Sequence, residues 1–263
     1  MAKERAGRAG AREWGAGRPA LEAMIATTEA FALAVEAKDP YTHGHSRRVS
    51  LLAEQVSREL GLARVACETV RIAGVLHDIG KIGIPEGLLR KPGKLNRGEM
   101  RIFERHSQLG WRIVSAVPEL EEVGLTILHH HERFDGQGYP ERLSGERIPI
   151  LSRILAVCDA YDAMTSDRPY RDGVSHRLAT DEIGRNLGKQ FDPSVARAFL
   201  RLFADKVPSH PDVTTSLWSL ASMGSRATPS ARSTRLRILR RLGSPAKPAA
   251  ARGDAVDDPW ASP

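Results

Sequence analysis

Histidine and aspartate residues recur along this chain at positions where apolar residues also recur. The pair His77 and Asp78 lies near the end of the apolar run GVLHDIGKIGIP, with Lys81 three residues after the aspartate. A carboxylate in such a run is rarely buried unless it is paired or binds a metal. For this dipeptide alone, a hydrogen-bonded core histidine beside a helix-end aspartate is the simpler interpretation. The other histidines and aspartates of the chain change that assessment.

Five predicted helices each present ligand-type residues from an apolar stripe. They are His45, His77, Asp78, His106, His130, His131 and Asp159. One buried histidine is usually a core residue, but seven such residues without cysteine fit a histidine and carboxylate site for hard or borderline metal ions. Seven ligands are too many for one ion, so Asp78 is a candidate bridge between two. The remaining residues then divide into two sets, His45, His77 and Asp159 for one ion and His106, His130 and His131 for the other.

Two metal ions a few Å apart are a common means of phosphoester hydrolysis. They lower the pKa of water from about 15.7 towards 7, which makes a metal-activated hydroxide available as the nucleophile at neutral pH. Attack on phosphorus increases the negative charge, which cations in a dry pocket stabilise. The residue types therefore predict a metal-dependent phosphohydrolase.

The elements that must position these residues are all predicted to be helices. The predicted helices cover Pro19–Ala37, Thr42–Leu60, a stretch from Val65 closed by Gly80, Gly83 and Pro85, a segment behind an Asn96/Glu99 capping box, Glu119–Glu132, Ile148–Ser166 and Val195–Phe203. No convincing alternating strand is found. The face that carries His106 also carries Phe103, Gly110, Ile113 and Val117. His129 falls off the apolar line of its helix and is predicted at the surface. A tight glycine-rich loop, RFDGQGYP, follows.

The composition is that of an ordinary soluble protein, with 41% hydrophobic and 27% charged residues. The net charge of +7 belongs to the ends, since residues 1–19 carry +3 and residues 224–263 carry +5. Both ends are predicted to be disordered basic tails around a catalytic body, 20–205, and a linker, 206–223. Cys67 and Cys158 are predicted core residues. With no apolar run near 18 residues and no signal peptide, we expect a cytoplasmic protein without a transmembrane segment.

The order His45, His77-Asp78, Asp159 resembles the HD superfamily of metal-dependent phosphohydrolases. The added His106, the segment HHERFDGQGYP and the segment RPYR are similar to its HD-GYP branch, over about Phe31 to Phe199. The resemblance implies an all-α, HD-domain-like helical bundle with an additional HD-GYP helical extension. It also implies hydrolysis of the bacterial second messenger cyclic di-GMP to linear pGpG, in some members onward to GMP, with iron or manganese.

The same resemblance assigns roles to further residues. Lys81 would contact the scissile phosphate, and Asp162 would orient the site without binding metal itself. The ligand would be held by Gly138, Tyr139, Pro140, Arg168 and Arg171. Certain members bind a third metal through a glutamate one turn before the equivalent of His45. Tyr41 stands there in this chain, so we expect two metal ions.

Other interpretations remain open at this point. An HD-type phosphohydrolase for another nucleotide would share the metal ligands, and a cyclic di-GMP receptor would bind without turnover. A nucleic-acid-binding protein that relies on the basic tails is disfavoured. Arg168 and Arg171 could simply be solvated, and the segment Gly138-Tyr139-Pro140, the GYP loop, could be a structural turn. That loop or the tails could also contact a signalling protein, and the chain could form a homodimer. The 19 residues before the predicted catalytic body are too few to form the family's usual sensory or receiver domain. We therefore expect regulation from another chain, the tails or the expression level.

Overall fold

The computed structural model describes residues 27–28, 30–33, 35, 38–39, 44–167 and 172–208. Those among 27–38 are helical, and nine α-helices follow within the described ranges. They are α1 His45–Glu59, α2 Arg64–Leu76, α3 Glu86–Leu89, α4 Arg97–Phe103, α5 Arg105–Val114, α6 Glu121–Leu128, α7 Ile150–Thr165, α8 His176–Arg185 and α9 Pro193–Phe203. Short 3₁₀ turns cover Ile79–Gly83, Pro118–Leu120 and Gly145–Arg147. β pairing in the described ranges is limited to an isolated bridge between Leu187 and Phe191, so the all-α prediction is confirmed.

Helix α7 lies at the centre of the fold and packs against α1, α2, α6, α8 and α9. It is buried on most of its circumference, as expected for a helix whose apolar residues are not confined to one stripe. Cys158 of α7 and Cys67 of α2 are both buried and free, which confirms them as small core residues. The apolar residues around α7 hold the helix ends that carry the histidines and aspartates.

Local sequence signals explain several helix boundaries. Asn96 accepts hydrogen bonds from the backbone N–H groups of Gly98 and Glu99, and the Glu99 carboxylate accepts the N–H of Asn96, so the predicted capping box is confirmed. At the start of α9 the Asp192 carboxylate accepts the backbone N–H groups of Ser194 and Val195, with Pro193 at the first helical position. Both caps satisfy N–H groups that a helix leaves unpaired at its start.

The predicted helices differ from the observed ones in four respects. Helix α2 ends at Leu76 rather than at the glycines, so His77 and Asp78 lie between α2 and the 3₁₀ turn. The helix behind the capping box breaks into α4 and α5, and Ile113 and Val117 are exposed because the buried line beyond Gly110 passes through Val114. Helix α8 was not predicted.

His129 is buried, with 6% of its surface exposed, so the prediction of a surface residue was also wrong. The reason is that α6 ends at Leu128, and the residues that follow no longer keep the angular spacing of a helix. The predicted tails, 1–19 and 224–263, lie outside the described residues, as does the predicted linker 206–223 beyond residue 208. No helix in the described part of the chain is both long enough and apolar enough to span a membrane.

Candidate metal centre

The seven predicted metal ligands come together from five places in the fold. His45 begins α1, and His106 and Asp159 lie within α5 and α7. The other four closely follow the ends of two helices, His77 and Asp78 after α2 and His130 and His131 after α6. Within the described residues they form three groups whose ligand atoms lie within 4.8 Å of one another. The groups are His106, His130 and His131; His45, His77 and Asp78; and His77, His130 and Asp159. The last group joins residues that we had assigned to different ions.

Three of the histidines are oriented by the helix turns that carry them. The Nδ1 atoms of His77, His106 and His130 each contact a backbone carbonyl oxygen three residues earlier in the chain. These oxygens belong to Gly74, Phe103 and Ile127, at 2.9, 2.8 and 2.6 Å. Because a carbonyl oxygen only accepts, Nδ1 carries the proton and Nε2 keeps its lone pair. This is the tautomer in which a histidine binds a metal through Nε2.

His45 is oriented by a carboxylate instead. Its Nδ1 lies 2.7 Å from Asp162 Oδ2, and its Nε2 lies 3.2 Å from Asp159 Oδ1. The Arg48 guanidinium donates from Nε to one Asp162 oxygen and from Nη2 to the other, at 2.7 and 2.9 Å. Burial opposes ionisation of Asp162, but the hydrogen bonds from His45 and Arg48 lower the pKa of this carboxyl below its usual value. Asp162 is therefore an anion that orients the His45 ring through its Nδ1 atom.

Asp78 lies between the two predicted sets of histidines. Its Oδ2 is 3.6 Å from His77 Nε2, and its Oδ1 is 3.8 Å from His106 Nε2. Although burial opposes ionisation, Lys81 and the surrounding histidines hold the pKa of Asp78 well below its usual range. A carboxylate with its two oxygens directed at different histidines is well placed to bridge two cations.

The protonation states of His130 and His131 suit a metal. Burial, followed by the charges of neighbouring histidines, lowers the pKa of His130 to about 3 and that of His131 well below its usual value. Both are neutral at pH 7, which is the ligand form. His130 Nε2 is buried without a hydrogen-bond partner among the described residues. An orphaned nitrogen that keeps a lone pair fits a metal ion better than a proton donor would, so the residues present fit the group that the sequence predicts.

Lys81 has two carboxylate partners. Its Nζ lies 2.8 Å from Asp78 Oδ2 and 3.0 Å from Asp39 Oδ2. Burial lowers the pKa of Lys81, but the charges of Asp78 and Asp39 outweigh it and raise that pKa to about 12. Lys81 is thus a fully charged ammonium next to the candidate metal ligands.

The GYP loop is tied to the segment that carries His131. The Tyr139 ring stacks on the His131 ring with centroids 4.8 Å apart, and the Tyr139 N–H donates to the His131 carbonyl oxygen at 3.2 Å. A Cβ at Gly138 would lie 2.5 Å from the same oxygen, so only glycine allows this approach. The buried carboxylate of Glu132 accepts the N–H groups of Glu141 and Leu143, at 2.7 and 3.1 Å. Pro140 follows in the loop through a cis peptide bond.

Sequence reasoning missed three residues that orient this site, Asp39, Arg48 and Glu132. Arg48 lies one helical turn after His45, and that spacing is the signal that could have identified it. Glu132 follows the paired histidines directly, where a buried acid needs donors. Arg168, Arg171 and Tyr41 lie outside the described residues, so their predicted roles stay predictions.

A protein-family model described as "HD domain" matches residues 29–195. The chain belongs to the HD domain family. This confirms the resemblance drawn from the order of histidines and aspartates. Proteins of this family are metal-dependent phosphohydrolases, and the described residues include His and Asp groups that could hold a metal ion.

Two relatives and one solved structure illustrate the similarity. A cyclic di-GMP phosphodiesterase of Thermotoga maritima is 43% identical over 169 residues, which is 64% of this chain and 46% of the relative. A 3'3'-cGAMP-specific phosphodiesterase of Vibrio cholerae is 37% identical, over 64% of this chain and 32% of the relative. The crystal structure of a cyclic GMP-AMP-specific phosphodiesterase of V. cholerae has the same fold, with a TM-score of 0.53 and 20% identity over 70% of this chain and 49% of that one. The chain thus spans less than half the length of these proteins.

Proposed function

We propose that this HD domain is a metal-dependent phosphodiesterase that hydrolyses cyclic di-GMP to linear pGpG, or onward to GMP. The observation that carries the proposal is the convergence of histidine Nε2 atoms on Asp78, whose two oxygens face different histidines. The relatives named as cyclic di-GMP phosphodiesterases support the substrate class. A hydrolase needs an ordered cluster of metal ligands, whereas a receptor that binds without turnover does not.

The proposed cofactor is a pair of divalent ions, which histidine and carboxylate ligands suit, and the resemblance to the HD-GYP branch implies iron or manganese. His45, His77 and Asp159 would hold one ion, His106, His130 and His131 the other, and Asp78 both. When bound, such a pair supplies an activated water and positive charge for the reacting phosphate. His77 and His130 also share a group with Asp159, so the two ligand sets adjoin each other.

The chain's own residues would then bind and orient the phosphodiester. Lys81, held as an ammonium by two carboxylates, would neutralise charge that grows on a non-bridging phosphate oxygen in the transition state. Asp162 and Arg48 would keep His45 in one tautomer and one orientation. Tyr139 would fix the His131 ring by stacking on it.

The resemblance to the HD-GYP branch implies further roles and partners. Arg168 and Arg171 would hold the dinucleotide through forked donors to phosphate or a guanine edge. A homodimer, and a signalling-protein partner for the GYP loop or the tails, belong to the same group of proposals.

Product chromatography on a panel of nucleotides tests the function. The protein, purified without air and loaded with manganese or iron, is incubated separately with cyclic di-GMP, 3'3'-cGAMP and linear nucleotides, with Asp78→Ala as the inactive control. We expect cyclic di-GMP to yield pGpG, with or without GMP. Preferential cleavage of 3'3'-cGAMP, the substrate in the names of several relatives, would change the substrate but keep the reaction class.

Two other results would reject the proposal. Turnover of linear nucleotides without cleavage of either cyclic dinucleotide would indicate another HD-type phosphohydrolase. Tight binding of cyclic di-GMP without turnover by the fully metal-loaded protein would indicate a receptor.

A further inference from the structure

Two neighbouring residues upstream of α1 contact the turn that carries Lys81, more than 40 positions further along the chain. Lys38 Nζ donates to the carbonyl oxygens of Lys81, Ile82 and Ile84, at 3.3, 2.6 and 2.7 Å. Asp39 Oδ2 accepts a hydrogen bond from Lys81 Nζ at 3.0 Å. Lys38 therefore binds the backbone of the turn, and Asp39 binds the side chain of Lys81.

The contact of Lys38 has a clear physical basis. Carbonyl groups at the end of a helical turn carry partial negative charge, and the Lys81 oxygen also accepts the Ile84 N–H at 3.0 Å. An ammonium within hydrogen-bond distance of three such oxygens neutralises that charge. The Ile79–Gly83 turn is thereby fixed against the segment that contains Lys38.

Asp39 differs from Asp78, the other carboxylate at Lys81. Asp78 belongs to the candidate metal ligands, whereas Asp39 is in none of the His/Asp groups found among the described residues. When Asp78 binds cations, its negative charge is shared with them, and those cations also repel the Lys81 ammonium. The side chains of Lys81 and Asp39 are only 12% and 8% exposed, so water compensates little for this repulsion.

We propose that Asp39 is a positioning residue, the anionic partner that keeps the Lys81 ammonium directed at the reacting phosphate beside a loaded metal centre, with Lys38 fixing the turn beneath it. The inference rests on the proposed function, because it assigns Asp39 a role in that reaction through Lys81. It also makes the segment upstream of α1 a part of the active site.

The kinetic test compares three variants with the parent. Asp39→Asn keeps the size and removes the charge, so kcat should fall roughly tenfold or more while KM changes by less than about twofold, since the lost interaction acts in the transition state. Asp39→Glu restores the charge and should recover most of kcat. Glu86→Gln removes one exposed carboxylate that pairs with Arg90, and its kinetics should match the parent.

A double-mutant cycle separates positioning from a general structural effect. If Asp39 acts through Lys81, Asp39→Asn should cost almost nothing more in kcat when Lys81 is already methionine. A full additional loss in the Lys81→Met background, or an unchanged kcat in Asp39→Asn itself, would overturn the proposal.

A crystal structure of manganese-loaded Asp39→Asn supplies a readout that does not depend on activity. We expect the histidine and aspartate ligands to stay in place while Lys81 Nζ moves away by about 1 Å or more. Lys81 in its parental position would overturn the inference. This structural result stands even if the parent protein fails to hydrolyse cyclic dinucleotides, in which case it is the proposed function that fails.

Discussion

Gly80 lies where the turn carrying Lys81 contacts α5, and its substitution by alanine should disrupt the site. A Cβ at this position would be 2.5 Å from the Gly110 nitrogen and closer still to the His106 carbonyl oxygen. Cβ contacts under 3.0 Å essentially do not occur. Since both neighbouring atoms are backbone, no side chain can rotate to make room. The turn and α5 must therefore separate by at least about 0.5 Å at Gly110, and by more at His106.

The expected loss follows from this geometry. Overpacking of a well-packed core typically costs about 1–3 kcal/mol, and a clash between two backbone segments belongs at the upper end of that range. The separation would also move Asp78 away from His106, whose Oδ1 and Nε2 atoms are now 3.8 Å apart. Metal sites tolerate deviations of only about 0.2 Å in ligand distance, so one ion should be lost or bound much more weakly.

Urea unfolding and metal analysis of Gly80→Ala measure both effects. Gly184→Ala is the matched control, because it is the same chemical change in helix α8 with open space around the new Cβ. That control should be neutral or more stable by about 0.5–1 kcal/mol. Parental stability together with parental metal content in Gly80→Ala would refute the close-packing argument.

Three further predictions address the ligands and the substrate. Arg48→Met removes the fork that orders Asp162, so metal affinity in competition with a chelator should weaken about 10- to 100-fold; unchanged affinity would assign the pair a purely structural role. In the metal-free protein the pKa of His130 is about 3 against 6.5 when unfolded, so between pH 6.5 and 4.5 the unfolded chain takes up a proton that the folded chain does not. As the pH is lowered, this residue should then reduce the free energy of unfolding by about 1.4 kcal/mol per pH unit. Urea unfolding at several pH values should show that the free energy of unfolding of His130→Asn depends on pH less steeply than that of the parent, by this amount; a parallel pH dependence would contradict the prediction. Lys81→Ala should lower kcat roughly a hundredfold with metal retained, whereas Arg168→Ala should mainly weaken binding of cyclic di-GMP, by about 1.5–3 kcal/mol; the reverse pattern in steady-state kinetics would exchange their roles.

The parts of this fold that depend on local periodicity were predictable from the sequence. The buried stripe of α1 with His45, the capping box at Asn96 and the apolar core of α7 are signals within one helix, and the structure contains each of them. The seven candidate ligands could be selected because a histidine or aspartate in an apolar stripe is locally unusual. That they lie close together was inferred only from how many of them there are, because no local pattern indicates which helices pack together.

The residues that orient the ligands were not predictable in this way. Arg48 reaches Asp162 across 114 positions and Lys81 reaches Asp39 across 42, and no local pattern encodes such pairs. His129 was misassigned because α6 ends one residue earlier, where the helical angle no longer applies. The end of α2 at Leu76 was missed because Gly80, taken as a helix terminator, instead permits close contact with α5.

The central claim is that Asp78 joins two sets of histidines into one metal centre. Elemental analysis of protein purified without air measures it most directly, on the parent and on Asp78→Ala together. We predict about two metal ions per chain in the parent and almost none in Asp78→Ala. Two ions per chain in Asp78→Ala, or none in the parent after loading with manganese or iron, would contradict it.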